Sequence, residues 1–115
     1  MNGTIKSKGE IDSLFHIGTR INEKGFLIIY CESLQRGSEG RVAFIAGKKL
    51  GNAPQRSYAK RVLRHISREN GFPLQGLDVV FVAKRCLFDM DHKQLSDDLG
   101  RVKSYLLKLS DKEER

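Results

Sequence analysis

A chain of 115 residues with 39% hydrophobic and 30% charged content suits one folded domain with a modest core and excludes a disordered polyelectrolyte. No apolar run approaches the roughly 20 residues that span a bilayer, and MNGTIKSKGE carries no apolar signal core, so the cytoplasm is the expected location. The 21 basic residues outnumber the 14 acidic ones, giving a net charge of +7 and pointing to a polyanionic partner, nucleic acid before membrane.

In chain order, IKSKGEIDSLFH (5–16) places Ile5, Ile11, Leu14 and Phe15 at roughly helical spacing and predicts a first helix ending near Gly18. GFLIIYCES (25–33) and RVAFIAG (41–47) read as strands separated by the turn-rich QRGSEG. A helix follows, capped by Asn52, with Pro54 tolerated in its first turn and Asn70-Gly71 then Pro73 stopping it. DVVFVAK (78–84) is a further strand. The last helix takes Asp91 as its cap, with Gln94 three residues on, and carries the stripe Leu95, Leu99, Val102, Leu106 and Leu109. Helix, two or three strands, helix, strand, helix is an α+β order. It predicts a single two-layer α-β sandwich over residues 1–115, with about four strands and three helices. Cys31 and Cys86 lie in apolar, strand-like runs and are expected as two buried thiols rather than a disulfide.

The charge is not spread evenly. From Arg41 to Arg68 there is no acid and there are eight Lys or Arg, so the remaining 13 basic and 14 acidic residues net −1. At about 100° per residue, with Lys60 at zero, Arg56, Arg64, Arg68 and Arg61 fall between about −40° and 100°. Ala59, Val62, Leu63 and Ile66 occupy the opposite side. A solvated helix face usually interleaves the signs, because like charges at i,i+4 repel by some tenths of a kcal/mol. Accepting that repulsion over several turns predicts phosphate contact. Arg outnumbers Lys in this stretch, which favours structured nucleic acid over a membrane surface, since guanidinium both chelates phosphate and stacks on bases. Lys48, Lys49 and the Asn52 turn precede the helix, whose N-terminus offers a further place for phosphate.

Other chemistry is sparse. His16, His65 and His92 show no zinc-like spacing, and His65, at the edge of the cationic stripe, reads as an RNA contact or as solvent-facing. Asp89 and Asp91 in FDMDHK form an Asp-x-Asp pair that could hold magnesium, but Asp91 is wanted as a helix cap and Asp89 as a loop residue. No catalytic residue and no metal ligand is assigned to this chain. Phe15, Phe26 and Tyr30 are either core residues or rings on which bases stack.

The run GKKLGNAPQRSYAKRVLRHISR resembles the signature of the bacterial ribonuclease P protein component: a lysine pair, a Gly-x-Ala turn, then an Arg-Asn-x-x-Lys-Arg-x-x-Arg helix. Lys48, Lys49, Gly51, Ala53, Arg56, Lys60, Arg61 and Arg64 match it, while Ser57 stands where the motif has Asn. KSKGEIDSLFHIGTR is similar to the family's N-terminal helix, with Ile11 where a cleft Phe is common. LIIY, RVAFIAGKK and LDVVFVAK are similar to its strands. The resemblance implies a subunit that binds a catalytic RNA and helps it remove the 5′ leader of precursor tRNA. Lys48, Lys49, Asn52, Arg56, Ser57, Lys60, Arg61, Arg64 and Arg68 would face the RNA subunit. Ile11, Phe15, Phe26 and Tyr30 would line a cleft for the leader. It further implies Mg2+ held mainly by the RNA subunit and substrate, no membrane, no required protein partner, and a left-handed β-α-β crossover. Sequence physics alone would favour the right-handed form. The alternatives are a structural RNA-binding protein, ribosomal or in RNA assembly, without a role in cleavage, and a stand-alone nuclease using Asp89 and Asp91.

Overall fold

Four strands form one mixed sheet that is apolar on both faces, and helices cover each face. The computed structural model describes residue 5, residues 8–32 and residues 40–113, with side chains described as far as residue 109. The elements are α1 (Lys8–Ile17), β1 (Thr19–Asn22), β2 (Phe26–Glu32), β3 (Arg41–Ile45), α2 (Ala53–Glu69), β4 (Leu77–Ala83) and α3 (His92–Glu113). Short 3-10 turns at Lys48–Leu50 and Arg85–Asp89 precede α2 and α3. The spatial order is β1-β2-β4-β3. β2 pairs antiparallel with both β1 and β4, whereas β3 runs parallel to β4 and is joined to it through α2. The α+β sandwich read from the sequence is therefore the fold, and β1 is the strand the pattern did not place.

Side chains alternate across a strand, and β2 shows what the alternation decides. Phe26, Ile28 and Tyr30 point toward α2 and α3, where they meet Leu63, Ile66, Phe81, Leu95 and Leu99. Leu27, Ile29 and Cys31 point the other way, into a smaller cluster with Ile5, Leu14, Ala43 and Val80 beneath α1. Phe26, Phe81, Leu63, Ile66 and Leu99 have no exposed surface, and each such side chain contributes about 1.5–3 kcal/mol by leaving water.

Local signals set the helix ends. Asn52 Oδ1 accepts from Gln55 N at 3.0 Å while Gln55 Oε1 accepts from Asn52 N at 2.9 Å, a complete capping box. Asp91 and Gln94 repeat the arrangement at α3, at 2.8 and 3.1 Å. At the far end of α2, Gly71 adopts φ +77°, a left-handed conformation that suits glycine. Asn70 then ties the two helices together, its Nδ2 donating to Ser96 Oγ at 3.1 Å. Gly18 closes α1 with its N–H on Leu14 O, and a Cβ there would sit 2.6 Å from that oxygen.

Two local expectations change. The first helix begins at Lys8 rather than near residue 5, and Ile5 is instead a buried anchor whose N–H donates to Val42 O at 2.7 Å. Both thiols are free, as expected, but Cys86 is exposed and Cys31 only half-buried. Cys86 sits in the 3-10 turn after β4, where the strand pattern has ended and the chain has reached the surface. Burial pushes the Cys31 thiol up, and the nearby Asp78 carboxylate adds to this. The turn segment at residues 35–39 lies outside the described residues.

Candidate RNA interface

The amphipathic pattern of α2 resolves as its angles require. Ala59, Leu63 and Ile66 are buried, and Lys60, Arg61, Arg64 and Arg68 are exposed. Lys48 and Lys49 stand exposed on the 3-10 turn leading into the helix, and Ser57 is exposed on its first turns. Arg56 is half-buried, its Nε enclosed without a hydrogen-bond partner among the described residues, so it is held in place rather than swinging freely. The Arg64 guanidinium lies 5.3 Å from the centre of the Phe44 ring on β3, a cation–π contact that aims it along that edge. Among the described residues, none of these seven cations is paired with a carboxylate. Arg85 adds an eighth positive group that the sequence pattern missed, reaching Lys49 O from the turn after β4 at 3.4 Å.

Arg41 leaves the patch. Although it opens the acid-free stretch, its side chain is directed toward α1 and pairs with Asp78 at 2.9 Å and with Glu10. Donating hydrogen bonds to the Asp78 carboxylate, and then to that of Glu10, holds the guanidinium still more firmly protonated than usual. The α2 N-terminus also offers less than its dipole promises. Pro54 has no N–H, Gln55 N donates to Asn52 Oδ1, and Arg56 N donates to Asn52 O. The cap takes Asn52 Oδ1 and its N–H, so the Nδ2 of exposed Asn52, Lys48 and Lys49 are the side-chain donors that this end still offers.

A second surface runs along the seam between α1 and the sheet. Ile11 and Phe15 lie there, half-buried against the cluster of Ile5, Leu14, Ile29, Ala43 and Val80, as do Leu27, Cys31, Ile45 and Val82 from the sheet. Arg20, from β1, reaches over the seam: its guanidinium is 6.0 Å from the centre of the Phe15 ring and donates to Phe15 O at 3.2 Å. Next to it, a groove of about 310 Å³ opens between α1 and the Arg41–Asp78 pair, bordered by Ser13, Ile17 and Cys31.

Phe26 and Tyr30 do not belong to this surface. Phe26 has no exposed area, and Tyr30 packs against the core under α2 and α3. The reason is register: a period-two strand sends residues 26, 28 and 30 to one face and 27, 29 and 31 to the other, so a one-residue offset exchanges the faces. The floor beneath α1 is consequently aliphatic, with Phe15 supplying its ring.

Asp91 Oδ1 is occupied by the backbone of Gln94, and Asp89 ends the preceding 3-10 turn. Asp91 therefore has a local structural task of its own, the α3 cap. The histidines behave differently: His65 and His92, 27 positions apart in the chain, come together around Glu69, with ring centres 5.0 Å apart. Sequence spacing could not show this, because the packing of α2 on α3 creates the proximity.

The family model described as Ribonuclease P matches residues 2–106. The ribonuclease P protein component of Streptococcus agalactiae serotype Ia is 32% identical over 98 residues, which cover 85% of this chain and 88% of that protein. The corresponding component of a Nitratiruptor species is 31% identical over 99 residues, covering 86% and 87%. Among solved structures, the RNase P protein of Staphylococcus aureus superposes with a TM-score of 0.73 at 22% identity, covering 96% of each chain. That of Thermotoga maritima gives a TM-score of 0.73 at 22% identity, over 86% of this chain and 93% of the other. These two likenesses speak for the fold. The family match takes in α1, the cationic helix, all four strands and much of α3 together, and on that breadth the chain belongs to the ribonuclease P protein family.

Proposed function

We propose that this chain is the protein subunit of ribonuclease P, binding the catalytic RNA subunit through the exposed face of α2 and the 5′ leader of precursor tRNA along the α1 seam. In this way it assists endonucleolytic removal of the leader and formation of the mature tRNA 5′ end. The observation that carries the reading is the row of cations at Lys48, Lys49, Arg56, Lys60, Arg61, Arg64 and Arg68, without carboxylate partners among the described residues and set on a helix capped at both ends. Such a row repels itself until a polyanion covers it. The seam suits a single strand better than a duplex, since an apolar floor, one aromatic ring and the Arg20 guanidinium can stack bases and hold backbone.

The chemistry belongs to the RNA in this proposal. Asp89 and Asp91 do not fit a magnesium chelate, because Asp91 is spent on the α3 cap. Mg2+ is assigned to the RNA subunit and substrate, where phosphate oxygens supply its hard ligands. The cytoplasm is the proposed location, where the RNA subunit and precursor tRNA would be met.

Precursor-tRNA cleavage at low, near-cellular Mg2+ tests this with the protein alone, the cognate RNA subunit alone, and the two together. Cleavage at the mature 5′ end is expected from the mixture at a rate well above that of the RNA alone, and none from the protein. Cleavage by the protein alone would place the chemistry in this chain. A mixture no faster than the RNA, despite tight binding, would make the chain a structural RNA-binding protein instead.

A further inference from the structure

We propose that His65, Glu69 and His92 form a binding site for one divalent transition-metal ion of the zinc class, a clip between α2 and the first turn of α3. A ligand atom from each of the three side chains lies within 4.8 Å of the other two. His92 Nε2 is 2.6 Å from Glu69 Oε1, and His65 Nε2 is 3.7 Å from Glu69 Oε2. Zinc bonds of 2.0–2.2 Å in tetrahedral array separate neighbouring ligand atoms by about 3.3 Å. The three donors need only small side-chain rotations to reach that spacing. Two imidazoles and one carboxylate are the donor set that such an ion takes when one position stays open, and magnesium prefers oxygen.

The backbone holds these donors at the right separations. His65 and Glu69 are one helical turn apart, so both project from the same face of α2. His92 is the first residue of α3, held by the Asp91–Gln94 capping box and by the Asn70–Ser96 bond between the helices. Side-chain exposures of 65%, 42% and 47% for His65, Glu69 and His92 leave the site open to solvent. Glu69 is also the only acid in α2, a helix that carries five Lys or Arg, and it stands where two imidazoles converge. As a general carboxylate to offset the cations it is badly placed, since it trails the stripe at its end. As a ligand it is placed well. The surrounding positive charge and the open exposure weaken the site relative to a closed cysteine site. Acidification weakens it further, because ligation needs neutral imidazole.

The test uses the full chain without a purification tag, stripped of metal and titrated with Zn2+ by calorimetry, with thermal melting alongside. One equivalent is expected to bind, and at about 100-fold excess over Kd the melting temperature should rise by roughly 5 °C or more. His92→Ala and Glu69→Gln should each weaken binding about tenfold or more. A Cys31→Ser/Cys86→Ser variant should bind as the parent does, and so should His16→Ala. The Nε2 or Nδ1 resonances of His65 and His92 should shift together during the titration. Absence of Zn2+ binding below millimolar concentration would overturn the proposal. So would binding that survives in His65→Ala/His92→Ala, binding lost with the cysteines, or an equal response to Mg2+. The exposed ligands leave the core intact when substituted, so these variants fold. The outcome is independent of whether the chain assists tRNA processing.

Discussion

Arg41 carries a lesson at the scale of single residues. In sequence it opens the acid-free run and looks like one more member of the basic patch. In the fold it lies under α1, bonded to an Asp78 that is 2% exposed. A buried carboxylate keeps its charge only while it has partners, and Asp78 takes both the Arg41 guanidinium and the Arg41 N–H at 3.2 Å. Arg41→Met is expected to lower the stability read from urea unfolding by about 3 kcal/mol, the low end for a broken buried pair because the guanidinium is partly in water. Lys60→Ala, equally a loss of one positive charge, should leave the midpoint almost unmoved. If the two variants unfold alike, solvent screens the Arg41–Asp78 pair and the burial argument fails. Charge could be counted from the sequence; which charges were already answered could not, because the answering acids are 31 and 37 positions away.

Among the elements, what could be read in advance was what neighbouring residues decide. The Asn52 cap of α2, the Asp91–Gln94 box of α3, the glycine stop after α2 and the apolar stripe of α3 were legible, since each depends on contacts within a few positions; the part Gln55 plays in the first cap was not read. β1 was not. Thr19–Asn22 has one apolar residue, and it is a strand because β2 offers it a ladder from Thr19↔Tyr30 to Asn22↔Leu27. The facing of β2 was likewise undetermined, because GFLIIYCES is apolar on both alternations and either set could have met α1. On the proposed function, the register leaves Phe15 on the leader's face of the sheet and puts Tyr30 on the other. Phe15→Ala should reduce the affinity advantage of substrates with long leaders over leaderless ones by about 1 kcal/mol. Tyr30→Leu should leave that advantage unchanged, whatever it does to stability. A selective loss with Tyr30→Leu would reverse the assigned faces.

Taken whole, the molecule keeps its charge apart from its neutral remainder, and the fold turns that segregation into a direction. Among the described residues, seven cations without a carboxylate partner, Lys48, Lys49, Arg56, Lys60, Arg61, Arg64 and Arg68, lie together on α2 and the turn that leads into it, beside edge strand β3, and Arg85 reaches Lys49 from the turn after β4. A polyanion is drawn to that side at long range and released from it by salt. The logarithm of RNA-subunit affinity should fall linearly with the logarithm of salt concentration. Arg61→Ala and Arg64→Ala should each make that slope shallower by about 0.7–0.9. An unchanged slope in both would mean that the stripe does not meet phosphate.

The sheet with helices on both faces has a consequence for measurement. On the proposed docking, the RNA subunit rests on one outer layer and the leader on the other, with the packed strands between them. The separation of the layers is set by the side chains packed between them, and a close-packed interior is barely compressible. The thickness of the protein then acts as a gauge block, fixing the interval between the surface that holds the enzyme and the surface that holds the strand to be removed.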